Sequence, residues 1–158
     1  MVKVLFVCLG NICRSPSAEG VFRALLHDEG LSDKIEVDSC GTGSFHTGNP
    51  PDERAIAACA ARDIDISGLR ARQIRKTDFE KFDYIIGMDE DNIQSLEMEC
   101  PYGYDDRIHL FLDLGPYMET REVPDPYYGG DLGFQSMLNL IERASKSLLK
   151  NIRENHLS

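Results

Sequence analysis

The sequence predicts an α/β protein: a single doubly wound, open parallel sheet of four strands with helices on both faces. Three observations carry this reading. Four short strand-like segments, Val2 to Val7, Ile35 to Ser39, Tyr84 to Met88 and Ile108 to Phe111, alternate with stretches of helical character. The first of them contains the continuous apolar run Val4-Leu5-Phe6-Val7, as a strand buried on both faces of a parallel sheet requires. A chain of 158 residues is enough for one ordinary core and too short for two.

Each helix has its own signal. Pro16 to His27 follows Ser15, a candidate N-cap, has proline in its first turn, and places Ala18, Val21, Phe22 and Leu25 on one face. Asp52 to Arg62 is alanine-rich and comes after the helix-breaking Asn49-Pro50-Pro51. A short helix is expected over Glu90 to Glu97. The last, Phe134 to Ile152, is long and amphipathic, with Met137, Leu138, Ile141, Leu148 and Leu149 on its apolar face. No repeat, low-complexity tract or linker interrupts the chain, so residues 1–158 read as one domain. In such a sheet, ligands bind beyond the carboxyl ends of the strands.

Composition narrows the function. A formal net charge of −10 argues against nucleic acid or an anionic membrane as partner. Met1-Val2-Lys3-Val4 reads as the start of the first core strand rather than a signal peptide, and no apolar run approaches the ~20 residues that span a bilayer. The five cysteines, Cys8, Cys13, Cys40, Cys59 and Cys100, are odd in number and fit a reducing cytoplasm better than a disulfide framework. The four histidines, His27, His46, His109 and His156, are scattered, and no paired Cys or His motif suggests a metal. Gly43 and Gly48 have the spacing of a nucleotide-binding loop, but Asn49 stands where that loop needs lysine.

The chemistry is concentrated in Cys8-Leu9-Gly10-Asn11-Ile12-Cys13-Arg14, followed by Ser15-Pro16, between the first strand and the first helix. A cysteine and an arginine bracketing five residues at such a turn can close into a cradle for a tetrahedral oxyanion. The loop amides point inward and the helix adds its positive N-terminal end. Arg14 can fork two hydrogen bonds onto phosphoryl oxygens, a planar match that lysine lacks. A helix N-terminus and a neighbouring cation favour a thiolate. Cys8 is therefore the expected nucleophile, attacking phosphorus and holding it as a phosphocysteine. Ser15 can donate its hydroxyl to that sulfur and make it a better leaving group. Gly10 allows the tight curve and is open to a positive φ. Asn11 tolerates a left-handed conformation, and its side chain can brace the loop.

A second stretch, Val123-Pro124-Asp125-Pro126-Tyr127-Tyr128-Gly129-Gly130, holds an aspartate between two prolines. The prolines restrict the backbone on both sides and let a rigid loop aim one carboxyl group. Asp125 is the expected general acid toward a departing phenolate and then the base toward water. Tyr127 and Tyr128 can pack on an aromatic substrate ring, or be phosphorylated themselves.

Over nearly its full length the chain resembles the low-molecular-weight protein tyrosine phosphatases. The residues that carry the resemblance are Val7 to Pro16 with Ala18-Glu19, then Ser39, Asp52, Arg54, Met88-Asp89 and Asn92, and finally Asp125-Pro126-Tyr127-Tyr128-Gly129. The resemblance implies Cys8 as nucleophile, with phosphate bound by the amides of Leu9, Gly10, Asn11, Ile12, Cys13 and Ser15 and by Arg14. It implies Asp125 as general acid, and neither metal nor organic cofactor. Phe45 is similar to the aromatic residue that walls the family's pocket. Cys13 is similar to a second loop cysteine that pairs with the nucleophile under peroxide. The family often braces its loop with a histidine three residues before an Arg-Gln pair; Leu69 stands there, ahead of Arg72-Gln73, so that prop is absent or replaced. The implied partners are phosphotyrosine-containing proteins, with weak self-association admitted.

Three rivals are weaker. A thioredoxin-coupled arsenate reductase needs two further cysteines close together, whereas Cys40, Cys59 and Cys100 are far apart in sequence. A protein-arginine phosphatase is expected to carry threonine at the place of Ile12 and to lack the paired tyrosines. A binding module with dead chemistry would have lost a residue among Cys8, Arg14 and Asp125, all of which are present.

Overall fold

Side chains of β1 (Val2–Cys8) alternate between the two faces of the sheet and are buried on both but for the partly buried Lys3, in the manner of a central strand. Val4, Phe6 and Cys8 join one apolar cluster and Leu5 and Val7 join the other. The computed structural model describes every residue except 117, 119, 127–129 and 158, and describes 130–132 by backbone alone. Tyr127 and Tyr128, assigned to the pocket from the sequence, lie outside the described residues.

The sheet has four parallel strands in the order β2-β1-β3-β4, where β2 is Ile35–Gly41, β3 is Tyr84–Gly87 and β4 is Ile108–Leu110. In register, Cys8 pairs with Gly41 and Val7 with both Cys40 and Gly87. The chain leaves β1 toward β2 on one side and later returns to β3 on the other. That reversal opens a crevice at the carboxyl end of β1, where open α/β sheets bind ligands.

The larger cluster lies on the Phe6 face, under α1 (Arg14–Asp28), α2 (Glu53–Ala60) and α5 (Gly130–His156). On α5, Met137, Leu138, Ile141, Leu148 and Leu149 are all buried, as their spacing predicts, together with Ala144 and Ile152. The opposite face packs Phe79 of α3 (Lys76–Lys81) and Leu96 of α4 (Glu90–Glu99) against Leu5, Val7 and Ile85. The expected doubly wound α/β fold is observed.

Several boundaries differ from expectation for physical reasons. Helix α1 begins at Arg14, not Pro16, and Ser15 sits inside its first turn; the Ser15 hydroxyl is drawn to Cys8 and Asn11 instead of capping. Leu26, not Leu25, is the deeper of the neighbouring leucines. Asp52 caps α2 by accepting from Arg54 N–H at 2.8 Å. Helix α3 has no forecast in the sequence because its Lys-Thr-Asp-Phe-Glu-Lys run contains one apolar side chain. It forms nonetheless: Phe79 is fully buried, and Asp78 accepts from Arg75 N–H at 2.7 Å.

Gly20 of α1 is a tight point of this face. A Cβ there would lie 2.5 Å from Ile66 Cγ2 and 2.9 Å from Ile64 Cγ2, and Ile66 is itself fully buried. Alanine in a helix normally gains about 1 kcal/mol over glycine. Overpacking a closed core costs about 1–3 kcal/mol, so the clash wins. Gly20→Ala is expected to lower stability by up to about 2 kcal/mol, read as an earlier urea midpoint with an unchanged slope.

Candidate active site

β1 delivers Cys8 to the bottom of the crevice, and α1 begins six residues later, so residues 9–13 must curl around a single point. The left-handed turn this needs is made by Asn11, with φ of 58°. Gly10 is not among the residues at positive φ, contrary to one use expected of it. It is needed for close approach: a Cβ there would lie 3.0 Å from the His46 ring.

The curl aims groups at the sulfur. Asn11 N–H points to Cys8 Sγ at 3.3 Å, and the Ser15 hydroxyl oxygen lies 3.0 Å from it. Asn11 is held on several sides. Its Nδ2 donates to Ser15 Oγ at 2.8 Å and to Ser39 Oγ at 3.0 Å, while its Oδ1 accepts from Arg72 N–H at 3.1 Å. The Arg72 guanidinium is in turn fixed by Asp78 and Asp38, each at 3.0 Å. Leu9 is half exposed at the rim, and its carbonyl accepts from Gly43 N–H at 3.0 Å. Ile12 lies partly buried, its carbonyl taking Asp52 N–H at 2.8 Å.

Arg14 is 4% exposed and its direction is set from behind. Nη1 donates to Asp89 Oδ2 at 2.6 Å and to the Val123 carbonyl at 3.1 Å. Burial opposes its charge, but the Cys8 sulfur, Asp89 and Asp125 outweigh that and raise its pKa above the ordinary arginine value. Asp89 is itself the N-cap of α4, accepting from Asn92 N–H at 2.8 Å. Val123 has two tasks: its N–H donates to the Met88 carbonyl at 2.9 Å and its carbonyl receives Arg14. It thus pins the segment that carries Asp125, whose carboxylate is 52% exposed and stands 3.8 Å from Arg14 Nη2.

These groups enclose a cavity of about 300 Å³. Cys8, Leu9, Gly10, Ile12, Cys13, Arg14 and Asp125 line it, with Phe45, 79% exposed, on the outer wall. The sequence-assigned residues are therefore brought together, apart from the two tyrosines outside the described residues. His46 also lines the cavity, and Asp89, Val123 and Ser39 support it. No role was expected of His46 or Val123. Only the proximity of His46 to Phe45 in sequence signals it. A buried cationic fork behind a cysteine, with a carboxyl group at the mouth, can bind a dianionic oxyanion and transfer a proton to or from its ester oxygen.

Cys13 is buried, and its thiol is pushed up to about 12, first by burial and then by Asp52, Cys8 and Asp125. It stays a neutral thiol beside a site built for anions.

A sequence profile of the low molecular weight phosphotyrosine protein phosphatases matches residues 3–157. The chain belongs to that family. Phosphotyrosine hydrolysis is the function of these phosphatases. The low molecular weight protein-tyrosine-phosphatase YfkJ of Bacillus subtilis is 43% identical over 154 residues, 98% of this chain and 97% of its own. Its crystal structure superimposes with a TM-score of 0.94, covering 99% of this chain and 97% of that one. The human low molecular weight phosphotyrosine protein phosphatase is 42% identical over 150 residues, 94% of each chain. A protein tyrosine phosphatase of Entamoeba histolytica, solved with Hepes in its active site, is 40% identical with a TM-score of 0.94, covering 98% of both. In this phosphatase Leu69 packs partly buried against the larger core cluster, and the Arg72 backbone and Ser39 hold Asn11.

Proposed function

We propose that the chain hydrolyses phosphotyrosine in proteins, and small aryl phosphates, through a phosphocysteine on Cys8, with residues 1–158 acting as one catalytic domain. One observation carries the reading: Cys8 Sγ lies on the wall of a cavity shared with Arg14 and Asp125, with Asn11 N–H and Ser15 Oγ 3.3 and 3.0 Å away. The Cys8 thiolate attacks phosphorus, the sulfur–phosphorus bond forms, and the phosphorus–oxygen bond to the ring breaks. Asp125 gives its proton to the departing phenolate. Its carboxylate then takes a proton from water, which attacks phosphorus and releases inorganic phosphate and the thiolate. Arg14 and the amides of Leu9, Gly10, Asn11, Ile12, Cys13 and Ser15 hold the phosphoryl oxygens, whose charge builds in each transition state.

The Entamoeba relative holds Hepes, a molecule that carries a tetrahedral sulfonate, in its active site, which supports an anion cradle here. Ile12, Leu9 and Phe45 offer apolar walls suited to an aryl ring. No helix among the described residues is long and apolar enough to cross a membrane, and a reactive thiolate favours a reducing cytoplasm.

The same reading makes Cys13 the redox partner. Peroxide oxidises the Cys8 thiolate to a sulfenic acid; the Cys13 sulfur then attacks it, forming a disulfide and expelling water. Because burial first of all pushes the Cys13 thiol up to about 12, closure is expected to speed up as the pH rises above neutrality. Cys13→Ser is expected to lose thiol-reversible recovery after peroxide, with Cys8 passing to the sulfinic acid by mass spectrometry. Equal recovery in variant and wild type would remove the redox role.

The substrate class is tested by phosphate release from matched phosphotyrosine and phosphoarginine peptides, with Cys8→Ser as blank. Turnover of phosphotyrosine alone is expected. Preference for phosphoarginine would move the assignment to the sibling chemistry.

A further inference from the structure

Glu19 is 2% exposed and takes no part in the steps above. Its two oxygens face different partners. Oε2 accepts from Arg23 Nε at 2.9 Å and Nη2 at 2.6 Å, while Oε1 accepts from the Ser39 hydroxyl at 2.7 Å. From there an unbroken chain runs to the sulfur: Ser39 Oγ, Asn11 Nδ2, Ser15 Oγ and Cys8 Sγ, with successive separations of 3.0, 2.8 and 3.0 Å.

We propose that Glu19 is a positioning residue for the reaction: its carboxylate sets the direction of every proton in this chain, so that the Ser15 hydroxyl donates to Cys8. The inference rests on the phosphocysteine reading. An ionised carboxylate only accepts, so the Ser39 proton must point at Glu19. Ser39 then offers its lone pair, and Asn11 must meet it with the NH2 end of its amide. The same NH2 group gives its second hydrogen to Ser15 Oγ. Ser15 is left with its own proton, for Cys8 Sγ at 3.0 Å or the Cys40 carbonyl at 3.3 Å. The charged sulfur is the stronger acceptor.

Were the Asn11 amide reversed, its oxygen would draw the Ser15 proton away from the sulfur. Glu19 prevents this through Ser39, and Arg72 N–H opposes it from the other side at 3.1 Å. Burial and Asp38 raise the Glu19 pKa, while Ser39 and Arg23 work against the rise and favour the charged form. Arg23, 56% exposed in its side chain, thus supplies the charge that orients a buried network from the protein surface.

The test uses an inversion that a packing role would not produce. In Glu19→Gln, Arg23 can only donate, so it turns the new amide oxygen toward itself. The NH2 end then faces Ser39, whose proton loses the acceptor that fixed it and is free to turn toward Asn11. The expected result is kcat about tenfold lower with KM within about twofold. Arg23→Met alone is expected to cost about twofold. In the double variant the amide is free to turn its oxygen back to Ser39, and kcat is expected to rise above that of Glu19→Gln alone. A wild-type kcat in Glu19→Gln, or a double variant slower than Glu19→Gln, would overturn the proposal. If Glu19→Gln fails to fold, Ser39→Ala serves: it breaks the same chain, is expected to lose about tenfold in kcat, and a wild-type kcat would overturn the proposal. Cys8→Ser, assayed alongside, separates the two claims. Its inactivity upholds the phosphocysteine reading whatever Glu19 does, and retained activity removes both.

Discussion

Asp125→Asn is expected to lower kcat for phosphotyrosine peptides by about a hundredfold to a thousandfold, the range of a lost general acid. The size of the loss depends on the leaving group. A tyrosine phenolate needs a proton as it departs, and the Asp125 carboxyl stands at the mouth of the cavity, 3.8 Å from Arg14 Nη2. A nitrated aryl phosphate leaves as a stable anion and needs none. Phosphorylation of Cys8 by such a substrate is therefore expected to stay near the wild-type rate in Asp125→Asn, measured as the burst of released phenolate. An equal loss with both substrates would mean that Asp125 shapes the pocket instead of moving a proton. Asparagine keeps the volume, and half of the carboxylate is already exposed, so folding is not in question.

Arg14→Lys is expected to lower kcat/KM by about a hundredfold to a thousandfold, as for a lost transition-state donor in a preorganised site. Lysine keeps the charge and loses the fork. A single ammonium cannot donate to Asp89 at 2.6 Å and the Val123 carbonyl at 3.1 Å and still present paired donors to a phosphoryl group. Phosphate and vanadate inhibition are expected to weaken alongside, with vanadate the more affected because it mimics the transition state. If inhibition by both were unchanged while activity fell, Arg14 would not be holding the oxyanion.

How much of this was legible in the sequence depends on whether partners are neighbours along the chain. Cys8, Asn11, Arg14 and Ser15 lie within one loop and the first helical turn, so their types and spacing announce the cradle. Asp125 was legible because its two prolines announce rigidity. Asp89 and the Val123 carbonyl meet Arg14 across 75 and 109 residues, and no local pattern encodes those contacts. A Gly10 in a tight loop admits two explanations, backbone freedom or close approach; the His46 ring decides for the second. Helix α3 went unseen because one phenylalanine among six residues has no periodicity, yet that side chain seals the smaller cluster. With Leu69 where the family often has histidine, the prop is expected to be absent or replaced. The brace is instead made by groups that sequence spacing cannot align, namely the Arg72 amide and Ser39 on Glu19.

The central claim is that phosphorus passes through Cys8 sulfur. The measurement that tests it most directly is rapid acid quench of the wild-type protein with a phosphotyrosine peptide, followed by mass spectrometry of the Cys8 peptide. A phosphoryl group on Cys8 that appears within the first turnover and decays with phosphate release, absent from Cys8→Ser, is the predicted result. Steady turnover with no phosphorylated Cys8 at any quench time, or turnover preserved in Cys8→Ser, would contradict it.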